Sequence, residues 1–317
     1  MRIIAVLNRD GGTLRTMDLD AFSAHAVEIF ASQGHELECQ PVAGRSAEQA
    51  LRKAAMSEDV GAIIAAGGDG TISTAARVAF ETGKPLAVLP AGTMNLFARA
   101  LKVPLDLDEA LEAIAAGTIG AVDIATANDR PFVHQFGVGI HARLVRIREG
   151  MNYGSRTGKM LASLRAIAAA AVRPPQFDAE IHTSRGVETR RVSGIAVSNN
   201  PLGDGQIHAD RLDGGMLGVY IASPVSTPAL LKLAVDVFVG SWRASPLVSE
   251  EEVDQVTLRF PKRRRSDHAV IDGELVKLEQ SVTLKVHPGG LKVLLPAIFK
   301  MGRDEAGTKI AAPRSND

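Results

Sequence analysis

The sequence predicts an α/β N-terminal domain, doubly wound around a mainly parallel sheet, followed by a β-rich, antiparallel, sandwich-like C-terminal domain. Three observations predict it. Residues 1–120 alternate short apolar runs with amphipathic stretches of helical spacing. Beyond residue 120, strand-like runs follow one another, joined by turn residues such as Asp272-Gly273 and Pro288-Gly289-Gly290. The 317 residues are too many for one small core and suit two. The division expected is 1–120, 121–301 and a frayed polar tail over 302–317.

Each element has a local reason. Ile3–Leu7 reads as a strand, and Asp18–Ser32 as a helix ending at Gln33-Gly34. His35–Gln40 is a short strand, and Ser46 caps a helix over Ser46–Ser57. Val60–Ala66 is unbroken apolar sequence, as a strand covered on both faces requires. A helix over Thr71–Thr82 closes at Gly83, Leu86–Leu89 is a strand, and helices cover Met94–Ala100 and Leu107–Ala116. In the second half, strands are expected at Ala121–Ala127, Phe132–Gly137, Phe177–Thr183, Arg191–Ser198, Met216–Ala222, Val253–Phe260, His268–Ile271, Leu275–Leu278, Val282–His287 and Leu291–Leu295. Helices at Arg156–Val172 and Thr227–Val239 interrupt them.

Composition narrows the function. Lysine plus arginine and aspartate plus glutamate each total 36, so the basic excess of a nucleic-acid binder is missing. Cys39 stands alone and forms no internal disulfide, which fits a reducing, cytoplasmic setting. No stretch approaches the roughly 20 apolar residues of a spanning helix. Contact with a membrane would therefore be peripheral.

The chemistry concentrates in β–α turns. Gly67-Gly68-Asp69-Gly70-Thr71 follows the buried strand and opens a helix. Glycines let backbone approach a ligand, and a helix start offers unpaired N–H groups to phosphate. The P-loop lysine is missing, and Ser73 replaces the third glycine of the dinucleotide fingerprint. One strand later, Gly92-Thr93-Met94-Asn95 repeats the arrangement, and Asn8 ends the first strand. In a parallel sheet all three turns emerge at the carboxyl edge, where ligands of such sheets bind.

Gly67–Thr71 and the run Pro90-Ala91-Gly92-Thr93-Met94-Asn95-Leu96-Phe97-Ala98-Arg99 resemble the diacylglycerol kinase and sphingosine kinase superfamily, especially its small bacterial lipid kinases. The resemblance implies ATP and Mg²⁺ as cofactors and a lipid as substrate. It assigns nucleotide contacts to Gly67, Gly68, Asp69, Gly70, Thr71, Ile72, Ser73 and Thr93, with Asn8, Gly92 and Asn95 completing the crevice. At the nucleotide edge the chain departs from the family pattern in two places: Arg9 follows Asn8 where proline is usual, and Pro41-Val42-Ala43 lacks a nucleotide-binding threonine.

Phosphoryl transfer asks for positioning, charge neutralisation and a proton acceptor. Asp272-Gly273-Glu274 matches the family's late Asp-Gly-Glu, which implies Glu274 as base with Asp272 supporting. The same residues also read as a type I′ hairpin turn with Glu274 merely exposed. Asp69 is expected to orient Mg²⁺ and the γ-phosphate. A second, structural Mg²⁺ is implied near Leu212-Asp213-Gly214-Gly215, where Gly214 replaces the family's aspartate and Asp213 or Asp210 is left to ligate. His134 and His141 read as structural. Lys262-Arg263-Arg264-Arg265 is either a solvated loop or an attraction for anionic headgroups, and Trp242 is either a membrane-edge anchor or a packed residue. The function expected is transfer of the γ-phosphoryl group to a lipid hydroxyl. Diacylglycerol is the default acceptor, with ceramide or a sphingoid base, an NAD kinase, and a non-catalytic regulator as alternatives. The partners expected are the lipid and a membrane surface, without nucleic acid, and a homodimer is compatible with the sequence.

Overall fold

The computed structural model describes residues 1–149, 174–264 and 266–296. The helix expected over Arg156–Val172 and the tail over 302–317 lie outside the described residues. The N-terminal half alternates as its sequence requires: β1 (Arg2–Asn8), α1 (Leu19–Ser32), β2 (Glu36–Val42), α2 (Ala47–Met56), β3 (Ala62–Gly67), α3 (Asp69–Thr82), β4 (Leu86–Pro90), α4 (Leu96–Ala100) and α5 (Leu107–Ala115). Asp18 caps α1 by accepting from the amides of Asp20 and Ala21, and Gly83 ends α3 at φ +69°. Ser46 stands at the cap of α2 without a side-chain bond to the helix. β3 is buried along its whole length because β1 and β4 flank it in parallel and helices cover both faces.

The second half contains β5 (Thr118–Ala127), β6 (Arg130–Phe132), β7 (Gln135–Gly139), α6 (Ile140–Glu149), β8 (Phe177–Thr183), β9 (Gly186–Val192), β10 (Gly194–Asn199), β11 (Leu217–Ala222), α7 (Thr227–Val239), β12 (Val248–Val253), β13 (Gln255–Arg259), β14 (His268–Ile271), β15 (Glu274–Lys277) and β16 (Ser281–Leu295). An antiparallel sheet ordered β12-β11-β10-β7-β14-β15 packs over β5, β6, β16, β13, β8 and β9 of the larger sheet. Phe132, Phe136, Val197, Leu258 and Leu284 fill the space between them. This is the sandwich expected.

Two expectations change. The strands at Val282–His287 and Leu291–Leu295 are one strand, β16, with a bulge between His287 and Leu291 instead of a turn. Gly289 takes φ +63° there, and its amide is captured by the Asp123 carboxylate, so the chain continues across the irregularity. The run at Arg191–Ser198 is divided between β9 and β10 at Ser193. Beyond the bulge β16 runs parallel to β4, and Leu291, Val293, Leu294 and Leu295 join the core of the N-terminal half. The last strand thus knits both halves into one sheet.

Candidate active site

β1, β3 and β4 end side by side, with Leu7 opposite Ala66 and Gly67 opposite Pro90, so their following turns share one edge. There they touch. The Asn8 Nδ2 donates to Thr71 Oγ1 at 2.9 Å. A Cβ on Gly92 would lie 2.6 Å from the Gly68 Cα, so Gly92 must lack a side chain for the two turns to meet. Asp69 ties them further: Oδ2 accepts from the amide of Asn95 at 3.2 Å and Oδ1 from that of Leu96 at 2.7 Å. Thr93 and Gly70 are exposed at this edge, beside the amides of Asp69 and Gly70, which open α3 and have no acceptor within their own helix. The arrangement offers backbone donors and a positive helix end to an anion.

Several expected ligand residues do other work. Ile72 is buried in the core and its amide donates to the Gly68 carbonyl at 3.1 Å, so it presents no group to a nucleotide. Asn95 is buried in the left-handed region (φ +51°). Its side chain clamps Gly92, accepting from the amide at 2.8 Å and donating to the carbonyl at 3.2 Å. That correction makes it a shaper of the second turn. Asp69, expected on Mg²⁺, has each oxygen engaged by a backbone amide and braces the second turn with them.

The late acid turn reaches the same place. Asp272 and Gly273 take φ +47° and +87°, as the hairpin reading requires. The Asp272 carboxylate accepts from Ser73 Oγ at 2.7 Å, across 199 positions of sequence. It also accepts from the amides of Val133, His134 and Gln135 at 3.0, 2.9 and 3.0 Å. The turn is a hairpin whose first residue is bonded to the helix that opens at Gly68. Two residues on, Glu274 is exposed and pairs with Arg130 Nη2 at 2.5 Å. An exposed pair of this kind contributes little stability and opens readily.

Sequence reasoning missed Asp123, Arg130 and the surroundings of His134. Asp123 is 1% exposed and accepts from Gly215 N at 2.6 Å, Asn200 Nδ2 at 2.8 Å and Gly289 N at 2.9 Å. Its signal was an acid inside the apolar run Ala121–Ala127. His134 is half-buried; desolvation pushes its imidazole below the usual value, while Asp272 and Asp69 pull the other way. Trp242 is buried edge-on against Tyr220 with Arg243 over its ring, which makes it a packed residue.

The donor set fits the phosphates of ATP, because two Cβ-free turns and a helix start converge on one spot. It does not form a metal cage. Asp213 meets Arg211 Nε at 3.2 Å, and no three His, Cys, Asp or Glu side chains gather to hold an ion among the described residues. The segment expected to carry a structural Mg²⁺ is instead tied to Asp123 by direct hydrogen bonds.

Comparison with known proteins gives a match over the N-terminal part of the chain. Residues 2–127 match the family model of the diacylglycerol kinase catalytic domain. Over that stretch, about two fifths of the chain, the sequence is similar to that family. A diacylglycerol kinase of Staphylococcus aureus is 43% identical over 82 residues, 25% of this chain and 26% of that protein. An uncharacterized protein of Synechocystis is 29% identical over 247 residues, 74% of this chain and 54% of its own length. The chain thus spans about half or less of the curated relatives it matches. A solved diacylglycerol kinase of Bacillus anthracis superposes with a TM-score of 0.67, covering 93% of this chain and 97% of that one at 17% identity. A second chain from that organism gives 0.72 at 20%. At these identities the likeness speaks for the fold alone.

Proposed function

We propose that this protein is an ATP-dependent lipid kinase that transfers the γ-phosphoryl group to a lipid hydroxyl, with diacylglycerol as acceptor. The single observation that carries the reading is the Ser73–Asp272 bond. It brings the late acid turn to the helix that would face the phosphates. ATP would supply the phosphoryl group, and Mg²⁺ carried on its phosphates would neutralise their charge.

The chain's own residues do the rest. The amides opening α3 and the Gly68–Gly92 contact seat the phosphates, and Asp69 keeps the two turns in register. Asp272 holds its turn against β7 and Ser73. Glu274, released from Arg130, accepts the proton of the attacking hydroxyl. No helix among the described residues is long and apolar enough to cross a membrane, so the lipid would be met at a surface.

The test is ATP consumption with vesicle-borne diacylglycerol, vesicle-borne ceramide and soluble NAD supplied separately. Turnover with diacylglycerol is expected. Turnover with NAD alone would overturn the lipid reading, and turnover with ceramide alone would move the acceptor. A Glu274→Gln variant should bind ATP unchanged and lose about 10²–10⁴ in rate; full activity would remove Glu274 from the base role.

A further inference from the structure

A cavity of about 630 Å³ opens in the second half of the molecule, away from the nucleotide edge. Six cationic side chains line it: Arg143, Arg146, Arg191, Lys262, Arg263 and Arg264. Two carboxylates oppose them, and both are engaged. Asp178 accepts from Lys262 Nζ at 2.8 Å, and Asp267 accepts from the Arg264 amide at 2.7 Å. Arg263 and Arg264 are exposed, and among the described residues neither guanidinium has a carboxylate within ion-pair distance. Phe177, Phe260 and Leu278 contribute apolar lining.

We propose that this cavity docks the phosphate headgroup of an anionic phospholipid and so seats the enzyme on a charged membrane. The cations suit a phosphodiester, and the apolar lining suits the glycerol and first methylenes attached to it, which a free inorganic anion lacks. A nucleic acid would want an open ring face for stacking. Phe260 is 2% exposed, and its ring packs tilted on that of Phe177 with centroids 6.0 Å apart. The placement also fits. β7 and β14 pair side by side, running from Gly139 and His268 at the cavity to Gln135 and Asp272 at the acid turn. Four residues of strand put the cavity about 13 Å from that turn. One bound headgroup would thus hold the acid turn near neighbouring lipids. The choice of a lipid rests on the lipid-kinase reading; the binding itself does not require turnover.

The test floats the protein with vesicles of phosphatidylcholine alone or mixed equally with phosphatidylglycerol. Binding is expected only to the mixture and is expected to weaken with salt. The double variant Arg263→Ala/Arg264→Ala should bind about 25-fold more weakly, at roughly fivefold per cation near the surface. Arg263→Lys/Arg264→Lys should restore most of that loss, which a folding defect would not. Turnover of detergent-dispersed diacylglycerol should be the same in all three proteins. Equal binding to both vesicles, or an unchanged alanine variant, would overturn the proposal. So would full displacement by soluble glycerol phosphate, which would make the ligand a free anion, or by a single-stranded oligonucleotide, which would make it a nucleic acid. An inactive kinase that still floats with the mixture would leave this site standing and sink only the catalytic reading.

Discussion

Asp272→Asn tests the joint between the two halves. Oδ1 accepts from the amides of His134 and Gln135, while Oδ2 accepts from Val133 N and Ser73 Oγ. An asparagine keeps one acceptor oxygen and turns the other into a donor. The oxygen should stay with His134 and Gln135, because those two N–H groups cannot accept. The new NH₂ then faces Val133 N–H, which loses its partner, and Ser73, whose hydroxyl can rotate to accept. Bonds to a charged group contribute about 1.5–3 kcal/mol each, so two lost bonds amount to about 3–6 kcal/mol. The rotated serine returns about 1 kcal/mol, and partial exposure of the site reduces the remainder to roughly 2–4 kcal/mol. Urea unfolding followed by linear extrapolation measures this directly. Ser73→Ala alone should cost about 1 kcal/mol, and the double variant should be non-additive by at least about 0.5 kcal/mol. An Asp272→Asn protein within about 0.5 kcal/mol of wild type, or strict additivity with Ser73→Ala, would refute the reasoning.

Three further outcomes follow from the same geometry. Gly92→Ala places a Cβ 2.6 Å from the Gly68 Cα and 2.8 Å from Asn95 Oδ1. It should cost about 1–3 kcal/mol and weaken ATP binding by calorimetry, whereas unchanged affinity would separate these turns from the nucleotide. Asp123→Ala leaves three donors without their buried acceptor and should cost about 3–5 kcal/mol in urea unfolding; a loss under about 1 kcal/mol would mean the network is not what holds residues 200–215. Burial pushes His134, His208 and His287 below their ordinary value of 6.5. The unfolded chain therefore takes up protons first, so stability is full above about pH 6.5 and is lost as the pH falls below it, by up to about 1.4 kcal/mol per pH unit for each histidine. Stability that stays flat or rises from about pH 6.5 to 5.5 would contradict this.

The strand–helix alternation and the two glycine turns were legible because local signals mark them: an unbroken apolar run at Ala62–Gly67, a capping Asp18, a closing Gly83. What local signals cannot carry is partnership across the chain. Pro288-Gly289-Gly290 has the composition of a turn, yet the Asp123 carboxylate takes the Gly289 amide and the strand continues. Ile72 and Asn95 sit inside motifs that suggest ligand contact, but a helix has an inner face and a tight turn needs a clamp, so both point into the protein. Asp69 looks like a metal ligand by type. Only the position of Asn95 and Leu96, a strand away, shows which donors meet it. The acid turn was placed by resemblance; nothing in the spacing of Ser73 and Asp272 announces their bond.

The two acids of that turn illustrate a division that chemistry imposes. A brace must have its lone pairs occupied, and a general base must have one free when the hydroxyl arrives. Asp272 accepts four hydrogen bonds, three of them from backbone amides fixed in β7 or just before it, so taking up a proton would break the contacts that hold its own turn. Glu274 is exposed and held by one flexible arginine, an attachment that opens at little cost. The left-handed conformations at Asp272 and Gly273 turn the first acid toward α3 and leave the second exposed at the start of β15. If Asp272 were the base, its amide-saturated environment would have to be dismantled at every turnover. Proton transfer by Glu274, as proposed above, would leave all four of those bonds in place.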